Sequence, residues 1–259
     1  MQDAAFTAYR RRKTLWSYVL WMLGLLLVHA LIFNSIFLWV TSDVLLKDTV
    51  LSLILNILSD VFNYLFYWVS FAFLIFALAR FSLGTALGIG GIFMGGMALR
   101  YLLDTLVGYL IMGFPTIDDF WYSLGELGIV LVFDLVLAAI AFLFIYVFIA
   151  SAKASQEEKK TVVATWMPPR SFWHLRNPIL KAAFASSAVV GSVQILYRIY
   201  YDVAFIGAPT GTADLLWMIT YYLSDLLMIL IGYIVIQLFL NHLYMNELRS
   251  EALYASKES

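Results

Sequence analysis

The sequence predicts an all-α integral membrane protein, a bundle of about six transmembrane helices with both termini in the cytoplasm, and three observations lead there. Of its 259 residues, 63% are apolar and 13% charged, with a mean hydropathy of +0.88. A soluble domain of this size has too little interior for so much apolar surface, so the bilayer must act as the solvent. The apolar residues form long continuous runs rather than the two-residue alternation of a membrane β-barrel. Lysine and arginine gather in alternate connections, which fixes an orientation.

Taken in order, a basic segment, 1–14, ends in Arg10, Arg11, Arg12 and Lys13 ahead of the first apolar run at 15–41. That run is far longer than the core of a secretory signal and lacks a small-residue cleavage site, so it is expected to stay as a first span. Runs at 49–79, 82–113 and 120–151 complete four helices within 15–151. Two more, at 178–207 and 214–245, make up 178–245, and 246–259 forms a tail. Each run exceeds the roughly 20 residues that a crossing needs, so tilt or protrusion past the headgroups is expected. Pro115, Pro168, Pro169, Pro178 and Pro209 all fall in connections or in a helix's first turn, where the missing N–H costs little.

The orientation follows from the short loops. Four basic residues precede the first run, Arg80 lies in the 2–3 turn, and Lys153, Lys159, Lys160, Arg170, Arg176 and Lys181 lie in or beside the long connection. The opposite loops hold Lys47 beside Asp43, Asp48, Asp118, Asp119 and Asp214. The positive-inside rule therefore puts both ends in the cytoplasm and makes this a multi-pass protein of the cell membrane. The connection 152–177 turns basic and aromatic in its second half, with Trp166, Arg170, Phe172, Trp173, His174 and Arg176. Such a segment suits either a bed on the inner headgroups or a plain linker.

Polar residues recur inside the spans. Arg100 and Asp104 end helix three at i and i+4, and Arg198 and Asp202 end helix five in the same way. Leu124-Gly125-Glu126, Leu223-Ser224-Asp225 and Leu58-Ser59-Asp60 mark the even-numbered helices, and Asn34 stands in helix one where an acid would otherwise recur. The pattern fits three related helical hairpins, 1–2, 3–4 and 5–6, although chance matching of common membrane residues gives the same picture. At 1.5 Å per residue, Arg100 lies roughly 27 Å in from the cytoplasmic start of its helix, and Asp60, Glu126 and Asp225 lie roughly 10–18 Å down from the outside. Asn34, Asn56 and Asn63 join this outer layer, while Asp134 sits nearer the middle.

Two arginines face six carboxylates there: Asp60, Asp104, Glu126, Asp134, Asp202 and Asp225. The surplus must be hydrated, protonated, or matched by a bound cation or cationic ligand. One reading is a ligand-binding layer of Asn34, Asp60, Asn63, Arg100, Asp104, Glu126, Arg198, Asp202 and Asp225 that captures a small solute. The other is a set of interhelical pairs that fix packing. A proton relay would use the same groups.

Several classes drop out. With no cysteine, there is no disulfide, thiolate nucleophile or Cys-ligated metal. His29, His174 and His242 are too scattered to suggest a metal centre, and His29 stands alone on an apolar helix. The glycines of 82–98 lie within a span with no Walker lysine after them, so no nucleotide or other cofactor is expected. A net charge of −1 offers nothing to nucleic acid. No local nucleophile–histidine–acid grouping supports an enzyme, though a dispersed triad would escape notice.

Gly84, Gly88, Gly91 and Gly95 form a small-residue stripe on which another helix can close in, within the fold or from a partner subunit. The expected partners are thus the lipid bilayer, a small solute, and membrane or cytoplasmic subunits meeting the 82–98 helix or the 152–177 segment. The six-helix, both-ends-inside outline is similar to that of vitamin-capture membrane subunits, which work beside separate energising subunits; the likeness is one of outline and not of motif. A solute-binding subunit or small transporter is the leading functional expectation, a non-transporting scaffold or assembly factor the second, and an intramembrane enzyme the third.

Overall fold

The apolar runs become helices. In the computed structural model, residues 2–31, 49–112, 117–159, 177–201 and 211–258 are described, and among them are six α-helices. They are α1 (Gln2–Val28), α2 (Thr49–Arg80), α3 (Leu83–Met112), α4 (Ile117–Lys159), α5 (Pro178–Tyr201) and α6 (Thr212–Glu258). Six helices are long and apolar enough to cross a membrane.

Helix ends follow local chemistry. Asn177 caps α5: its side-chain oxygen accepts from the Ile179 N–H at 2.9 Å and its carbonyl from the Lys181 N–H at 3.0 Å. Pro178 then takes the first helical position, where no N–H is needed. The 2–3 turn is two residues, Phe81 and Ser82, with the Phe81 N–H still bonded to the Ala77 carbonyl at 2.8 Å. Past Val28 the chain continues through 29–31 in the wider π-helical turn, a departure often found beside functional side chains. The basic 1–14 stretch is helical from Gln2, α4 runs on to Lys159, and the tail is helical to Glu258. Most of the 152–177 connection, including Trp166 to Arg176, lies outside the described residues.

The chain forms two compact units, whose boundaries fall within α2, at the first residue of α3 and within α4. Unit 1 comprises Met1–Ser70 and Gly84–Ala138; unit 2 comprises Phe71–Leu83 and Ala139–Ser259.

In unit 1, α1 and α3 run parallel. A Cβ on Gly88 would sit 3.7 Å from the Leu15 side chain, one on Gly96 would meet the end of Met22, and His29 reaches Asp104. Partners therefore rise together along both helices. The seam of α1 is Tyr18, Met22, Leu26 and His29, all buried and spaced to share one face. Of the expected glycine stripe, Gly88 faces α1, joined by Gly96 rather than by Gly91 or Gly95, which have open space where a Cβ would stand. Helix α2 runs against α1 and α3, since Tyr18 bonds Ser70 at 2.6 Å, His29 stacks on Phe62, and Tyr67 meets Phe93.

From Phe66 to Leu78 every residue of α2 is buried. A helix apolar on every side belongs in an interior, and Trp68, Phe71, Phe73 and Phe76 make it one here. Within a bilayer such burial gains little by transfer, because lipid tails are as apolar as the side chains. Close packing and polar contacts must supply the specificity.

In unit 2, α5 and α6 pack antiparallel: Phe184 meets Tyr233, the Ser187 hydroxyl donates to the Ile229 carbonyl at 2.7 Å, and Gly191 faces Ile229 and the Asp225 carbonyl. A Cβ on Gly191 would run into the Ile229 side chain near its branch point, so glycine sets the spacing of this pair. Helices α2 and α6 run parallel in this unit, joined by Phe76–Tyr244 and Arg80–Glu247 contacts. Lys153 of α4 donates to the Leu78 carbonyl at 2.6 Å, covering an acceptor that the end of α2 leaves open.

Candidate functional site

Unit 1 brings the polar side chains of three helices together. Asn63 and Tyr67 lie one turn apart on α2 and share a face, while Arg100, Tyr101 and Asp104 sit at the corresponding level of α3. His29, in the π-helical turn after α1, completes the group.

Arg100 is its centre. Its Nη2 donates to Asn63 Oδ1 at 2.6 Å, and its Nε lies 3.4 Å from His29 Nε2 and 3.7 Å from Asp104 Oδ2. The guanidinium carbon stands 5.0 Å from the centre of the Phe66 ring and 5.4 Å from that of Tyr101, within reach of cation–π attraction. His29 Nε2 lies 2.9 Å from Asp104 Oδ1 and 3.1 Å from Oδ2. One ring nitrogen cannot donate to the carboxylate and accept from Arg100 at once. The shorter contacts favour a proton on Nε2, so that His29 and Arg100 both turn donors toward Asp104. The His29 ring stacks on Phe62, with centroids 5.9 Å apart and planes 10° apart, and meets the edge of Phe66.

Next to this group lies a second. Asp134 of α4 accepts from the Tyr101 hydroxyl at 2.8 Å through Oδ2 and from the Tyr67 hydroxyl through Oδ1. Because Tyr101 adjoins Arg100 and Tyr67 follows Asn63 by four, both helices carry one layer into the other.

His29, Arg100 and Asp134 are enclosed, while Asn63, Tyr101 and Asp104 are half-buried. Relative exposure is 6% for His29, 7% for Arg100 and 3% for Asp134, whereas the Asp104 side chain is 28% exposed. Arg100 and a protonated His29 balance Asp104 and Asp134. With His29 neutral the four groups carry one surplus negative charge, unless a carboxyl holds the proton. Among the described residues no group of three or more His, Asp or Glu side chains is arranged to hold a metal ion.

Of the residues expected to form a layer, Asn63, Arg100 and Asp104 come together here. Asp225 is buried on α6 and belongs to unit 2. Asn34 and Asp202, and the side chains of Asp60, Glu126 and Arg198, lie outside what the structure describes. His29 does not stand alone, as its helix suggested: it bonds across 75 positions to Asp104. Tyr67 went unread because an aromatic in a run of aromatics looks like packing, and its acidic partner is on another helix.

Six membrane-length helices, four of them contributing to a buried charged network, are consistent with a polytopic membrane protein. No family model matches the chain, and no curated protein or solved structure matches it.

Proposed function

We propose that the chain is a multi-pass protein of the cytoplasmic membrane, with both termini inside, that serves as a solute-binding membrane subunit or small transporter through the polar network of unit 1. The observation that carries this reading is a charged cluster, buried within membrane-length helices, whose accessible charged member is the carboxylate of Asp104. An ionised side chain at the centre of a membrane helix costs about 2.5–3.5 kcal/mol on insertion scales, so a fold that needed only packing has little reason to keep one. Asp104 offers an acceptor to a positive or hydrogen-donating group. Arg100, His29 and Asn63 supply fixed polar atoms behind it, and Phe62, Phe66 and Tyr101 supply flat walls. Of the remaining members of the expected layer, Asn34, Asp60 and Glu126 belong to the same proposal, and Arg198, Asp202 and Asp225 are proposed as ligand-binding residues of unit 2 by itself. A scaffold or assembly factor is the second reading. Its support is Asp134, enclosed and satisfied by two tyrosine hydroxyls in the manner of a structural pin.

Neutralisation separates the two. Asp60→Asn, Glu126→Gln and Asp225→Asn keep size and much of the hydrogen bonding, and an amide is less costly to bury than an ion. These variants are expected to insert and melt in detergent much as the parent does, and to fail in complementing the growth defect of a deletion strain. Loss of stability, with full complementation by those that still fold, would transfer the proposal to the scaffold. The orientation has its own check. With cysteines placed singly at Ser155 and Thr212 in an otherwise cysteine-free chain, an impermeant thiol reagent should label only the Thr212 position in intact cells; labelling at Ser155 reverses the topology.

A further inference from the structure

The outer side of α1 in unit 1 carries a stripe that changes character along its length. Tyr9, Trp16, Leu20, Leu23 and Leu27 are all more than half exposed. At about 100° per residue they fall within roughly 60° of helix surface, on the side opposite the buried seam of Tyr18, Met22, Leu26 and His29. Arg12 and Lys13, both exposed, stand between the two aromatics, one to either side of the line that joins them. Four consecutive basic residues, Arg10 to Lys13, point to all sides of a helix, and only these two fall beside the stripe. Arg10 is half-buried, with its guanidinium carbon 5.5 Å from the centre of the Phe6 ring, and Arg11 is exposed about 140° round the helix from Trp16.

Arg12 to Trp16 is about 6 Å along the axis, the depth of a headgroup layer, and Trp16 to Leu27 is about 16 Å, the depth of one leaflet of a hydrocarbon core about 30 Å thick. Tryptophan favours the boundary between those layers. The stripe therefore has the profile of a single phospholipid, with cations at the level of the phosphate, a ring at the boundary and leucines beside the tails. A phosphate set between an arginine and a lysine gains charge-assisted hydrogen bonds, and a headgroup with no cation of its own brings nothing to repel them. A soluble anion would match the cations and leave the leucines uncovered. We infer that the outer face of α1 is a binding site for an anionic phospholipid, its phosphate held by Arg12 and Lys13 and its acyl chains laid along Leu20, Leu23 and Leu27. The inference rests on the reading that α1 crosses a membrane, and on neither the solute site nor the orientation.

The full chain is purified in mild detergent and titrated with phosphatidylglycerol or phosphatidylcholine carrying the same oleoyl chains, and the lipid retained is counted by native mass spectrometry. The parent should hold the first phosphatidylglycerol on the order of ten-fold more tightly than the first phosphatidylcholine. Arg12→Gln or Lys13→Gln should lower that preference about five-fold, the loss expected when one basic residue at a membrane surface is removed. Arg11→Gln takes the same charge from the same turn on another side of the helix and should lower it by no more than about two-fold. All three positions are exposed, so melting temperatures without added lipid should match the parent. Equal retention of the two lipids by the parent would overturn the proposal without any variant, and equal loss from Arg11→Gln and Arg12→Gln would overturn it in favour of a diffuse basic belt. Glycerol 3-phosphate, which has the anion and no tails, should not displace the lipid at equal concentration; displacement would mean that the face takes a soluble phosphate ester instead. A chain that stays dispersed with no detergent would refute the membrane reading itself, which unequal or equal lipid retention leaves standing.

Discussion

Arg100→Leu should destabilise the folded chain by an amount toward the lower end of the roughly 3–5 kcal/mol typical of a broken buried ion pair. Removing the guanidinium leaves Asn63 without its 2.6 Å donor, takes one counter-charge from the Asp104 carboxylate, and opens a space between Phe66 and Tyr101. The figure sits low because Asp104 retains access to solvent and because the His29 ring stays 2.9 Å from its carboxylate. Arg100→Lys keeps the charge but loses the planar fork that reaches Asn63 and lies along two rings, so it should fall between parent and Leu. The double variant Arg100→Leu with Asp104→Asn removes the charge together with its counterpart and should melt closer to the parent than Arg100→Leu alone. Unfolding of the three variants in mild detergent gives the comparison. Equal loss in the single and double variants would mean that Arg100 serves a partner other than Asp104.

The order of helices was legible because membrane-length apolar runs leave little choice of structure: a chain that must satisfy every backbone N–H and C=O inside hydrocarbon does so as a helix. Asn177 and Pro178 announced the start of α5 by local chemistry alone. Within the site, Arg100 and Asp104 could be paired from i,i+4 spacing, and Asn63 from its depth. His29 could not be found in this way. Its partners are supplied by α3, and in sequence it has only apolar neighbours on its own face. Tyr67 and Glu247 were hidden for the same reason, since one looks like core and the other like an ordinary residue past the end of a span.

The glycines illustrate the limit more sharply. Spacing alone puts Gly84, Gly88, Gly91 and Gly95 in one stripe, yet α1 approaches along Gly88 and Gly96. A stripe shows where close approach is permitted, and the partner's side chains decide which part of it is used. Leu15 and Met22, one heptad apart on α1, make that choice here. The contrast with Gly191 follows the same logic, for Met22 meets Gly96 with the free end of a flexible chain while Ile229 meets Gly191 near its branch.

The second large effect is expected at Asp134. Changing it to leucine keeps the branched shape in a larger side chain but takes away the acceptor to which the hydroxyls of Tyr67 and Tyr101 both donate. A buried hydroxyl without an acceptor costs about 1–3 kcal/mol, so the two together should cost about 2–6 kcal/mol. The loss belongs to the mismatch rather than to the missing acid. Tyr67→Phe and Tyr101→Phe added to Asp134→Leu remove donors and acceptor alike and leave three apolar side chains where a paired network stood. That triple variant should recover most of the stability, because replacing every partner of a buried network by apolar groups is often neutral or favourable. Its behaviour in cells then bears on what the network is for. If Asp134 is a pin, the triple variant, being stable again, should complement a deletion strain as the parent does. If Asp134 passes protons or contacts solute, stability returns and complementation does not. A triple variant as unstable as Asp134→Leu alone would refute the pairing itself and would mean that Asp134 is held by groups other than the two tyrosines.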